Sequence, residues 1–149
     1  MKTRTSLLLI VSVVFVILFT SCENGETPDY VGTWISYQTE MEPDNLKFTM
    51  VLEEDYFTFT MAVLIEDEYL DYEGYRGPLA VDGNNITATV MEVYGTEDGE
   101  TYQWYGSGST IYDDWVAENE GNVIEGTYSV DGNTLTMTME GIPIIYTRQ

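Results

Sequence analysis

The stretch GTYSVDGNTLTMTM, Gly126–Met139, has a near twin earlier in the chain, GPLAVDGNNITATV, Gly77–Val90. At an offset of 49 the two agree at seven of fourteen positions, and Ile86 stands over Leu135 as a conservative exchange. Asp-Gly-Asn is open to two readings, a cation loop or a chain reversal. A calcium loop needs oxygen ligands at alternating positions and a closing glutamate. DGNN and DGNT each offer one carboxylate and no closing acid. A tight hairpin instead needs residues that accept positive φ, which glycine supplies and asparagine tolerates. With Gly-Asn central, Val130 faces Leu135, Tyr128 faces Met137, and Ser129 and Thr136 share the other face. The earlier copy pairs Val81 with Ile86, Leu79 with Ala88, and Ala80 with Thr87. The likeness stops outside these segments, so a hairpin is repeated and not a domain. No metal site is assigned.

Outward from the twins the pattern persists. In NLKFTMVLEEDYFTFTMAVLI, Asn45–Ile65, a turn at Glu54-Asp55 pairs Leu52 with Phe57, Met50 with Phe59 and Phe48 with Met61. That makes an apolar ladder on one face, with Lys47, Thr49, Thr58 and Thr60 on the other. Twelve Tyr, three Trp and five Phe, with frequent Thr and Val, suit an all-β antiparallel meander. No window holds a helical apolar period over three turns; the best helix candidate is IYDDWVAENEG, residues 111–121. QWYGSGSTIYDDW, residues 103–115, reads as a long connection. Its Trp104, Tyr105, Tyr112 and Trp115 are the candidate ligand-binding aromatics, with capping of the core as the alternative.

The N-terminus carries an address. Lys2 and Arg4 precede LLLIVSVVFVILF, Leu7–Phe19, an uncharged apolar run of 13 residues. A bilayer-spanning helix needs about 20 residues, so the run suits a signal peptide. LFTSC follows, and it resembles the lipobox of bacterial lipoproteins. That resemblance implies cleavage before Cys22 and a lipid on its sulfur. The expected division is a signal peptide at 1–21, lipidated Cys22 and a flexible tether through residue 29, and one domain at 30–149. The expected location is the bacterial cell envelope, with the lipid in a membrane, the outer membrane first, on its periplasmic or surface face.

All 26 acidic residues and the basic Lys47, Arg76 and Arg148 lie beyond residue 21, so the mature charge is 3 − 26 = −23. Such a surface repels nucleic-acid phosphates and attracts cationic partners. With no histidine and a single cysteine, His-based triads, His-ligated zinc and disulfides within the chain are excluded, and the expected lipid on Cys22 removes thiol catalysis. No glycine-rich phosphate loop precedes a helix. A binding protein without cofactor is expected, not an enzyme.

VGTWISY, Val31–Tyr37, opens the first strand, and PIIYTRQ, Pro143–Gln149, carries the last. Gly-x-Trp at the first strand, a run of hairpins and a terminal-strand arginine resemble the lipocalin-like (calycin) barrels of small bacterial lipoproteins. The resemblance implies an up-and-down barrel of eight to nine strands, closed at one end by Gly32, Trp34 and Arg148, the guanidinium lying over the indole. It also implies a small apolar or amphipathic ligand inside. The alternative is an acidic module without a cavity that captures cationic proteins or peptides.

Overall fold

The computed structural model describes residues 27–38 and 45–149; the expected signal sequence, Cys22 and the first part of the expected tether lie outside them. The strands are β1 (Gly32–Gln38), β2 (Leu46–Leu52), β3 (Tyr56–Ile65), β4 (Glu68–Asp82), β5 (Asn85–Thr89), β6 (Glu92–Gly95), β7 (Gln103–Gly106), β8 (Val123–Asp131), β9 (Thr134–Met139) and β10 (Ile142–Arg148). One helix, α1 (Thr110–Glu118), follows β7. Every strand pairing is antiparallel. The wall runs β1-β2-β3-β4-β5-β8-β9-β10 and returns to β1, a closed eight-stranded barrel. The β6–β7 hairpin and α1 are inserted between β5 and β8, with β6 paired to β4 at Gly74–Arg76. No helix among the described residues is long and apolar enough to cross a membrane.

The ladders follow the apolar alternation. Leu52 pairs with Phe57, Met50 with Phe59 and Phe48 with Met61. All but Phe59 and Met61 of these are buried. The turn between β2 and β3 needs no glycine, because neither Glu54 nor Asp55 takes positive φ; the Glu53 amide closes it by donating to the Tyr56 carbonyl at 2.9 Å. β4 carries a bulge. Met61 opposes Glu73 and Ala62 opposes Asp71, so Tyr72 is the extra residue that bends the strand.

Both twin segments form hairpins in the expected register, Val130 to Leu135 and Tyr128 to Met137, Val81 to Ile86 and Leu79 to Ala88. Only the glycines, Gly83 and Gly132, take positive φ, 59° each, and the asparagines do not. Glycine at the first central position is the II′ arrangement. The shared Gly77 and Gly126 have their own cause. A Cβ on Gly77 would stand 2.0 Å from the Thr89 carbonyl oxygen, and one on Gly126 would stand 2.7 Å from that of Thr138. Thr89 and Thr138 are themselves twins, so each hairpin is pinched at its base where only glycine fits.

Residues 103–115 are not a long connection. β7 pairs with β6, and Ser109 then caps α1 by accepting from the Tyr112 amide at 3.3 Å. The helix ends in a Schellman turn, with Glu120 at φ 56° and the Gly121 amide donating to Val116 at 2.9 Å. Tyr112 is buried and donates its hydroxyl to the Val90 carbonyl at 3.0 Å, fastening the helix to the barrel.

Candidate functional site

The barrel is plugged at the end where β1 begins. Trp34 is fully buried, and its Nε1 donates to the Tyr30 carbonyl at 2.8 Å. β1 and β10 pair at Trp34 and Arg148, which brings the guanidinium carbon 4.4 Å from the indole centroid. Gly32 sits beside both side chains. Arg148 Nη2 donates to the Asp29 carbonyl, tying the incoming chain across the plug. The Tyr146 hydroxyl and Arg148 Nε are buried without a partner. Burial alone pushes the Tyr146 hydroxyl pKa well up, so it stays protonated.

Deeper in the barrel is a cavity of about 110 Å³ with an apolar wall that includes Met50, Phe59, Ala88, Ile124, Met137 and Met139. Its origin lies in the twins. Ala88 occupies in the first copy the position that Met137 fills in the second, and Gly126 adds no side chain beside it. The missing bulk leaves the void. Ligand pockets for drug-sized molecules run to roughly 300–1,000 Å³, whereas an apolar hole of about 150 Å³ stays dry and takes a benzene-sized guest. The interior has room for no more than a compact hydrocarbon group or the end of a chain.

An aromatic series leads from the cavity to α1. Phe48 lies 5.7 Å from Phe59, Phe59 stacks on Tyr75 at 5.8 Å, and Tyr75 meets Trp115 at 5.0 Å. The Tyr75 hydroxyl donates to Glu73 Oε1. Burial first, and then the Glu73 carboxylate, push its pKa far up. Beyond Trp115 an open groove of about 330 Å³ runs between α1, the bulge of β4 and β6, lined in part by Tyr72, Glu73, Ile111, Asp114, Trp115 and Glu118.

The four candidate aromatics are thus divided among different places. Trp115 joins the cavity series to the groove. Tyr112 is a buried fastening. Trp104 lies against the other face of the hairpin sheet, 4.4 Å from the Arg76 guanidinium and 5.3 Å from the Tyr94 ring. Arg76 also pairs with Glu92 at 2.7 Å. Tyr105 pairs with Val93 in the β6–β7 ladder. Sequence reasoning missed Tyr75 and Glu73, which meet these aromatics only through the bulged strand. No group of three or more acids or cysteines converges as a metal site among the described residues. No protein-family model, no curated protein and no solved structure matches the chain.

Proposed function

We propose that the protein is a lipid-anchored lipoprotein of the bacterial cell envelope, lipocalin-like in kind, that binds a small apolar group inside its barrel. The apolar cavity beside Ala88 carries this reading, since burying each guest methylene contributes roughly 0.8 kcal/mol. Three further features support it. The signal-like run ends at Cys22, giving a lipid anchor, and two or more acyl chains hold a protein stably where one does not. The Trp34–Arg148 plug shuts one end, leaving the helix end as the route of entry. Methionines in the wall adapt to guests of differing shape at little cost. The protein acts by holding its ligand and not by transforming it.

Native mass spectrometry of the full chain, purified from membranes in mild detergent, tests the reading. A bound apolar molecule of low mass, absent from an Ala88→Leu variant, is the expected result. Identical masses for the two proteins, after the substitution is allowed for, would contradict it.

A further inference from the structure

We infer that the barrel's guest is an uncharged molecule, and that the cavity wall refuses an ion of either sign. The inference rests on the interior site proposed for the barrel and names the class of ligand that site takes. Three observations carry it. First, the wall offers nothing to a charge. Apart from Tyr75 its side chains are hydrocarbon or thioether, among them Leu52, Phe57, Leu79 and Ile86. Gly126 adds only backbone, held in the ladders to Ile86 and Met139. Tyr75 brings the wall its one hydroxyl, and that proton is committed to Glu73 Oε1. A phenol whose donor is spent can only accept, so it gives a carboxylate no hydrogen bond. Burial, and then the Glu73 carboxylate, keep it protonated, so it supplies no counter-charge to a cation.

Second, the groups that could have served an anion lie elsewhere. The Tyr146 hydroxyl and Arg148 Nε are buried without an acceptor, yet neither residue lines the cavity. Arg148 is laid over Trp34 in the plug. Arg76 pairs with Glu92, and Lys47 lies 5.6 Å from the Tyr69 ring. Among the described residues no cation borders the site, and Glu73 stands behind Tyr75, outside the wall.

Third, the space admits no hydration shell. A void of about 110 Å³ is filled by a compact guest alone, since each water takes roughly 30 Å³. An ion would therefore enter bare, and a bare unpaired charge in an apolar interior is far costlier than a hydroxyl or an ester.

The test titrates n-butanol, methyl propanoate, butanoate and butylammonium into the full chain in nonionic detergent at neutral pH. The Ala88 methyl resonance is the reporter. Methyl propanoate is the uncharged isomer of butanoic acid, so size is held while charge changes. The alcohol and the ester should shift the methyl saturably, with affinities within about tenfold of each other. Both ions should bind at least about a hundredfold more weakly than the alcohol. Glu73→Gln should leave that order unchanged. Butanoate taken as tightly as the alcohol, by the parent or by Glu73→Gln, would overturn the inference while leaving the cavity a binding site. Butylammonium taken as tightly as the alcohol would also overturn it, by assigning selection to the acidic field and not to the wall. An Ala88 methyl that none of the four moves would overturn the interior site itself, and the inference with it.

Discussion

Replacing Arg148 with alanine removes the plug over Trp34, and its cost can be worked from the geometry. The guanidinium lies 4.4 Å from the ring of a fully buried tryptophan. A partly desolvated cation–π pair of this kind contributes roughly 1–2 kcal/mol. The charged hydrogen bond to the Asp29 carbonyl adds about 1.5 kcal/mol, at the low end because the contact is exposed. Arg148 Nε, buried without an acceptor, offsets about 1 kcal/mol of this. The net loss expected for Arg148→Ala is about 2 kcal/mol. For a domain of this size that is a fall in Tm of roughly 8 °C. Guanidinium unfolding should show a lower midpoint at unchanged slope, since the barrel itself persists. Arg148→Lys keeps the charge but loses the planar face, and should recover less than half of the loss. A Tm for Arg148→Ala within a degree or two of the parent would refute the reasoning, leaving Trp34 as an ordinary core aromatic.

Two other outcomes follow from local geometry. The β3–β4 turn puts Glu66 and Asp67 at φ 50° and 69°, a mirror-image turn made without glycine. Glu66→Asn/Asp67→Gly supplies the residues that conformation prefers and should raise stability by about 1 kcal/mol in denaturant melts; a loss would show that the turn is held by other contacts. Tyr75 and Tyr146 have pKa values raised above the ordinary 10.0, chiefly by burial. Their contribution is complete below the unfolded value and is lost as pH rises from there toward the folded values. Absorbance titration should therefore show a tyrosine fraction that ionises only as the alkaline transition unfolds the barrel. Smooth titration of every tyrosine before unfolding would contradict their burial.

Much of the barrel is legible in the sequence, because a period of two fixes both which face is buried and which residues meet. The Leu52–Phe57 and Val130–Leu135 registers follow from alternation and turn chemistry alone. The insertion does not. β6 and β7 are four residues each, too short for a period to declare itself, and α1 shows its acids as plainly as its apolar face. The Glu66–Asp67 reversal was hidden because glutamate is not a customary positive-φ former and no glycine marks the turn. The cavity depends on a difference within the repeat, Ala88 against Met137, whose meaning appears only when the two hairpins close one wall. The groove needs Glu73 from a bulged strand beside Asp114 and Glu118 from a helix some forty residues later. No spacing along the chain foretells that meeting.

The claim that the void beside Ala88 is a binding site is tested most directly by calorimetric titration of short straight-chain alkanols into the full chain and into Ala88→Leu. Filling the void should raise stability by roughly 0.5–2 kcal/mol while abolishing the binding seen in the parent. A parent that binds none of the series, or a filled variant that binds as the parent does, would contradict it.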